Sequence, residues 1–301
     1  MPNGILLLDK PRGVSSNAAL QRVRALFDRE KAGHVGSLDP LATGMLPVCL
    51  GEATKVAGEI LAGRKCYRFT VTLGALTATG DAEGAVTESA PLPSLERSQV
   101  ESVLARFVGP GQQVPPMYSA LKRGGQPLYR LARAGVTVER APRTIEVAHL
   151  RLLALRPPAL ELEVLCSKGT YVRVLAEDIA RALGTLGHVT VLRREYVEPF
   201  AGEAMHTLES LAEARARGEA PPLLPLDSAL GHLPAVHLEP KKARRLCQGQ
   251  TVAVADAPFA TRVRLYDEEK FLGIGETDVA GAVHPRRLLR HEATSDGSAV
   301  G

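Results

Sequence analysis

One carboxylate, Asp39, lies inside the run Gly36-Ser37-Leu38-Asp39-Pro40-Leu41-Ala42-Thr43-Gly44, and His34 precedes that run by two residues. A side-chain carboxylate can attack carbon to give a covalent intermediate, or it can stabilise positive character developing at a sugar carbon. The Asp-Pro pair alone specifies only a turn, because Asp bonds its own backbone and Pro fixes φ. Here glycines bracket the turn, so the acid is presented by a shaped, stiffened loop. Other chemistries lack their residues. The 8 His and 4 Cys show no metal-ligand spacing, and Cys49, Cys66, Cys166 and Cys247 form no C-x-x-C pair. The stretch from Gly58 to Lys65 has Walker A glycine spacing without the Lys-Ser/Thr ending, and Gly273-x-Gly275 lacks the rest of a dinucleotide fingerprint.

The elements that must carry this loop are legible from periodicity. Ile5 to Leu8 reads as a buried strand, and Ser15-Ser16-Asn17 caps a helix reaching about Phe27 with Leu20, Val23 and Phe27 on its apolar stripe. Leu46 to Leu50 predicts a strand and Ala53 to Leu61 a helix. Tyr67, Phe69, Val71 and Leu73 alternate with Arg68, Thr70 and Thr72 as in a half-buried strand. Ser98 and Glu101 predict a capping box for a helix carrying Val100, Val103, Leu104 and Phe107. Ile145 to Leu155 and Leu160 to Cys166 form a predicted hairpin. A further helix buries Val172, Leu175, Ala176, Ile179 and Leu183 and stops at Gly184. These elements predict a mixed α/β (α+β) fold, with a central mixed or antiparallel sheet flanked by helices.

A chain of 301 residues with 45% hydrophobic content exceeds the size at which one core stops growing, so two domains are expected. We expect the first over residues 1–230, with a basic lobe at about 117–143. That lobe interleaves Lys122, Arg123, Arg130, Arg133, Arg140 and Arg143 with Tyr118 and Tyr129. Short apolar pieces separated by turns predict a small β-rich module over 231–291, followed by a tail at 292–301. The formal charge of +4 suits a polyanionic partner where the cations cluster, as they do in the lobe. Dispersed cysteines fit a reducing cytoplasm. The run Gly4 to Leu8 is too short to span a bilayer and lacks the flanks of a secretory leader, so no membrane role is expected.

Six separated blocks carry a resemblance over nearly the whole chain. They are Asp9 to Ser16, Ala32 to Lys55, Tyr67 to Gly74, Pro116 to Lys122, Cys166 to Arg173, and His188 to Arg194. In these blocks the sequence resembles the bacterial tRNA pseudouridine-55 synthases, the TruB family of uridine isomerases. Its C-terminal segments, Leu246 to Gln250, Phe271 to Gly275 and His284 to Leu288, resemble the RNA-binding PUA domain. The resemblance implies breaking the C1′–N1 bond of one uridine, turning the uracil in place and rejoining it through C5. Such an isomerisation needs no cofactor and no metal. It implies Asp39 as nucleophile or charge stabiliser, Arg173 as its guanidinium partner and Tyr67 as a stacking and proton-handling group. Tyr171 and Leu192 would line the uracil pocket, and His34 would lie near the gap left by the flipped base. Lys10, Lys122 and the lobe cations would meet phosphates, while the C-terminal module would hold the acceptor end of the tRNA.

One departure from the pattern stands out, since the run Thr77-Ala78-Thr79-Gly80-Asp81 places Ala78 where many relatives carry an acid. Asp81 is retained as a candidate site residue and Ala78 is expected to be peripheral. The partner expected is tRNA, with a monomer and no obligatory protein subunit. Two other readings compete: the catalytic subunit of a guide-RNA ribonucleoprotein, and a non-catalytic tRNA-binding or folding protein.

Overall fold

The computed structural model describes residues 3–28 and 31–290, so the tail expected at 292–301 lies outside the described residues. The chain runs β1 (Gly4–Lys10), α1 (Ser16–Leu26), β2 (Ala32–His34), β3 (Thr43–Leu50), α2 (Ala57–Ala62), β4 (Lys65–Leu73), β5 (Ala75–Thr77) and β6 (Val86–Ser89). It continues through α3 (Arg97–Ala105), β7 (Gly109–Gln113), β8 (Lys122–Arg123), β9 (Gln126–Pro127), α4 (Leu128–Arg133), β10 (Arg143–Arg156) and β11 (Ala159–Cys166). Next come α5 (Val172–Ala182), β12 (Gly187–Val197), α6 (Leu208–Ala216), β13 (Ala235–Leu238) and α7 (Pro240–Cys247). The short β14 (Val252–Ala253) precedes the meander of β15 (Arg262–Asp267), β16 (Lys270–Thr277) and β17 (Ala282–Leu288).

Among the described residues the first part of the chain builds an eight-stranded sheet in the order β1-β3-β12-β4-β11-β10-β7, with β2 also on β3. All its pairings are antiparallel except β12 on β3, as the expected mixed sheet requires. Alternation sorts the side chains. Phe69, Val71, Leu162, Val164 and Leu192 enter one core with Leu20 and Val23 of α1, Val100 and Leu104 of α3, and Leu175 and Ile179 of α5. A second core collects Ile5, Leu7, Met45, Ile60, Val197 and Phe200 with Leu230 and Ile274, and so reaches into the C-terminal sheet. That sheet has five strands in the order β13-β15-β16-β17-β14 around its own core.

Several boundaries differ from the sequence reading. The helix expected over 53–61 is a 3₁₀ turn, Gly51–Lys55, followed by α2, with Val56 at φ −99°, ψ 0° between them. The capping box of α3 is Glu96 with Gln99, two residues earlier than the Ser98–Glu101 pair, which falls inside the helix. Three helices were not foreseen: α4 in the basic lobe, which buries only Leu128, and α6 and α7. Helix α6 buries only Leu208 and Leu211, too sparse a stripe to read, although Thr207 caps it. Helix α7 buries only Ala243 and Leu246 beside three exposed cations, Lys241, Arg244 and Arg245, behind Pro240 at its first turn.

The parallel pairing of β12 on β3 matters most for the loop that bears Asp39. Gly44 lies opposite Arg194, at φ +97°, and a Cβ there would come 2.2 Å from the Arg194 carbonyl oxygen. Both the backbone region and the close approach therefore demand glycine. Gly44→Ala is expected to cost about 3 kcal/mol or more in urea unfolding, whereas Gly13→Ala, at φ +78° with open space around it, should cost about 1 kcal/mol from backbone strain alone. Equal costs would show that the strand contact is not what makes Gly44 necessary.

Candidate active site

Asp39 is placed by contacts from four directions. The buried Ser16 hydroxyl accepts from the Leu38 N–H at 2.7 Å and donates to the Leu38 carbonyl at 2.9 Å, fixing the residue just before the acid. The Gly13 N–H donates to the Pro40 carbonyl at 2.7 Å, and the Ala42 N–H closes a turn onto the Asp39 carbonyl. On the far side Arg194, 1% exposed, donates through Nε to Met45 O at 2.7 Å and through Nη2 to Gly36 O at 2.8 Å. The carboxylate itself stays 38% exposed.

Arg173 meets that carboxylate from the first turn of α5. Its Nε donates to Asp39 Oδ2 at 2.9 Å and its Nη2 to Oδ1 at 3.3 Å, a two-pronged contact that fixes the carboxylate plane. The remaining donors go to Thr79 O at 2.6 Å and Tyr118 O at 2.7 Å. Asp81, itself buried, places Oδ2 3.7 Å from Arg173 Nε. Its other oxygen accepts from the Thr79 hydroxyl and from the Glu83 N–H. The guanidinium is 4% exposed, and a buried cation must have its donors satisfied by charge or carbonyl oxygen. Arg173 lies off the apolar stripe of α5 yet is buried, which helical spacing alone cannot indicate.

The start of α5 is set by a residue the sequence reading missed. The Gln113 side-chain amide, buried at the end of β7, accepts from the Tyr171 N–H at 2.7 Å and donates to the Tyr171 carbonyl at 3.1 Å. Tyr171 is the N-cap residue of α5. Burial pushes its phenol above the usual tyrosine range, partly offset by the Arg173 charge. Tyr67, on β4 across from Arg194, is likewise raised, chiefly by burial, with the Arg194 charge pulling it back. Both phenols also feel the Asp39 charge. Leu192, two residues before Arg194, is buried opposite Phe69. Asp39, Tyr67, Arg173, Tyr171 and Asp81 thus belong to one cluster. Ala78 is exposed, as expected.

One placement departs from the sequence reading. Lys10 does not face solvent to meet phosphates. It is 0% exposed, and its ammonium donates to Val14 O at 2.7 Å, Pro11 O at 2.9 Å and Pro40 O at 3.4 Å. It is an internal tie between the first turn and the Asp39 loop, because three carbonyls converge where the chain doubles back. Lys122 is exposed on the lobe with Arg130, Arg133 and Arg143, away from the cluster. His34 is half-buried on β2. Burial above all, helped by the Arg194 charge, holds it toward the neutral form, and its buried Nδ1 has no hydrogen-bond partner.

Cys66, His149 and Glu163 bring one ligand atom each within 4.8 Å of one another on the outer face of the sheet. The Glu163 carboxylate, however, already pairs with Arg68 at 2.9 Å and Arg151 at 2.5 Å. Two guanidiniums repel a cation, so the trio is part of an ion-pair lattice and no candidate metal centre.

Comparison with known proteins follows the same outline. Residues 24–172 match the profile of the TruB family pseudouridylate synthase N-terminal domain. Residues 173–231 match the tRNA pseudouridylate synthase B C-terminal domain, and residues 234–289 the pseudouridine synthase II TruB C-terminal region. The chain is 51% identical to tRNA pseudouridine synthase B of Chromohalobacter salexigens over 95% of its length and 94% of the relative's. It is 48% identical to tRNA pseudouridine synthase B of Pseudomonas aeruginosa, covering 96% of each chain. Among solved structures it is similar in fold to one described as an H/ACA RNP bound to a substrate RNA containing 2′-deoxyuridine. There the TM-score is 0.73 at 22% identity, covering 96% of this chain and 85% of that one. A Cbf5-Nop10-Gar1 complex is similar at TM-score 0.72 and 23% identity, covering 95% and 84%.

Burial lowers the Lys10 ammonium from 10.5 to about 8, more than the opposing pull of Asp39 raises it. Between those values the unfolded chain holds the extra proton, so stability rises with pH and the contribution is lost as pH falls through about 8. From pH 7 to pH 9 the urea-unfolding free energy of the wild type should gain about 1 kcal/mol relative to Lys10→Met. A pH-independent difference would place the ammonium in solvent.

Proposed function

We propose, on the premise that this chain belongs to the TruB family of pseudouridylate synthases, that it isomerises uridine 55 in the T loop of tRNA to pseudouridine, with Asp39 as the nucleophile. The observation that carries this reading is the two-pronged Arg173–Asp39 contact, which leaves the carboxylate partly open while its partner is sealed. A guanidinium on both oxygens aims the carboxylate, as attack at carbon or stabilisation of a cationic sugar carbon requires.

The remaining parts fit an everted nucleotide. Flipping a base from a folded loop costs a few kcal/mol, and the protein must supply a surface to receive it. Tyr67 offers an aromatic face and a hydroxyl within reach of the Asp39 charge. Tyr171 and Leu192 contribute apolar walls, and His34, held toward neutral, suits a gap among bases. Asp81 and the Thr79 carbonyl hold Arg173 from behind. Isomerisation conserves every atom and electron of the uridine, so these side chains suffice without a cofactor. The exposed cations Lys122, Arg130, Arg133 and Arg143 and those of α7, Lys241, Arg244 and Arg245, would neutralise RNA phosphates. We place the catalytic domain over 1–230 and a PUA-like module over 231–291, acting as a monomer in the cytoplasm.

An unmodified tRNA transcript incubated with purified protein, without guide RNA, metal or nucleotide, should gain pseudouridine at one T-loop position. Asp39→Asn should abolish the product while tRNA affinity changes by less than about threefold, and loss of binding instead would make Asp39 a turn residue only. Arg173→Lys should lower kcat by about a hundredfold, because an ammonium cannot reproduce the two-pronged contact. A need for guide RNA would transfer the chain to the ribonucleoprotein reading. Affinity should fall linearly in log–log plots against salt, and neutralising Lys122 and Arg130 together should flatten that slope.

A further inference from the structure

Gln113 is the last residue of β7, the edge strand of the large sheet, yet it is only 5% exposed. Its amide meets one residue twice, since Oε1 accepts from the Tyr171 N–H at 2.7 Å and Nε2 donates to the Tyr171 carbonyl at 3.1 Å. Further along the same stretch, Tyr118 O accepts from Arg173 Nη2 at 2.7 Å. Residues 113–118 therefore grip the start of α5 at two points, a side chain on the Tyr171 backbone and a backbone carbonyl on the Arg173 side chain. Helix starts usually find their cap locally, in a Ser, Thr, Asp or Asn. Tyr171 gives α5 no side-chain cap, and no acidic residue stands in its first turn. A carboxylate there would compete with Asp39 for the guanidinium. A neutral amide from another strand fixes the same peptide without adding a charge.

Resting on the reading of Asp39 as the nucleophile held by Arg173, we propose that Gln113 is a positioning residue for Arg173. The apolar stripe of Val172, Leu175, Ala176 and Ile179 fixes the axis of α5 in the core. Arg173 lies off that stripe in the first turn, where an untied helix end frays. Gln113 ties that end. With the Tyr171 N–H and carbonyl both held, the turn that follows starts from one place in one direction, and Arg173 reaches Asp39 with Nε and Nη2 together. Reaction at carbon tolerates little error in the aim of the attacking group. The amide thus acts on the rate through the guanidinium, without touching the uridine.

The test combines rate with an RNA-free measurement. Single-turnover tritium release from tRNA labelled at uridine C5 is measured for the wild type, Gln113→Met, Gln113→Glu, Arg173→Lys and Gln113→Met with Arg173→Lys. Gln113→Met should slow release about tenfold, with tRNA affinity within about threefold, yet slow the Arg173→Lys protein less than about twofold. An equal factor in both backgrounds would make Gln113 a packing residue and overturn the proposal. In Gln113→Glu the un-ionised acid keeps one donor and one acceptor, and ionisation removes the donor. Its rate relative to the wild type should rise as pH falls from about 9 to about 6, while the ratio for Gln113→Met stays level. Arg143, opposite Gln113 on β10, together with Arg173 and the Tyr171 phenol, bears on where that acid titrates, and the test reads the direction alone. Without RNA, the Arg173 Nε–H resonance, assigned by its loss in Arg173→Lys, reports the contact with Asp39 itself. Its exchange with water should be at least about tenfold faster in Gln113→Met than in the wild type. Equal exchange overturns the proposal even if the wild type forms no pseudouridine, so failure of the proposed activity and failure of the positioning are separate results. If Gln113→Met does not fold, Gln113→Glu decides by the same two readouts, and a level ratio with unchanged exchange overturns the proposal.

Discussion

The contact between Arg173 and Asp39 is the constraint from which the rest of the site follows. A guanidinium 4% exposed cannot leave its donors unmade, and here they are shared among a carboxylate and two backbone carbonyls. Those partners come from the loop after β2, the turn after β5 and the start of the basic lobe. Three separate stretches of chain therefore have to converge for one side chain to be buried at tolerable cost. The carboxylate keeps its outer edge free because the guanidinium holds only one side of it.

The scaffold meets this demand by layering ties onto the backbone of one loop. Ser16 holds Leu38, Gly13 and Lys10 hold Pro40, and Arg194 holds Gly36 and Met45. Lys10 and Arg194 are long cations spent on carbonyl oxygens inside the protein, which explains why neither is free to meet a phosphate. Gly44 admits the backbone of β12 where any side chain would collide. The loop is thus rigid by construction, and an acid on it can be aimed. The opposite arrangement holds in the basic lobe, where short strands and a six-residue helix expose most of their cations. A surface that grips a flexible polyanion gains from reach, whereas the reacting carboxylate gains from fixity.

Much of the fold was legible because its cores obey simple periods. The alternation from Tyr67 to Leu73, the hairpin before Cys166 and the stripe of α5 each bury what their spacing predicts. Helices α6 and α7 were illegible because each buries two apolar residues under an otherwise polar surface. Gln113 escaped notice for a related reason. A glutamine in a Gly-Pro-Gly-Gln-Gln run carries no pattern, and its value comes from an α5 backbone 58 residues away.

The sequence by itself determined the residue types of the site: a glycine-bracketed aspartate, a cation opening a helix, two tyrosines and a second acid in a turn. Local chemistry also determined the elements that carry them, since periodicity and capping act over a few residues. Tertiary structure alone decided which cations face solvent and which are consumed inside. It turned Lys10 inward, joined Arg194 to both ends of the aspartate loop, and set Arg173 against Asp39 across 134 residues of chain. The physical reason is that the fate of a charged side chain depends on the carbonyls and carboxylates folded around it, and those partners are distant in sequence.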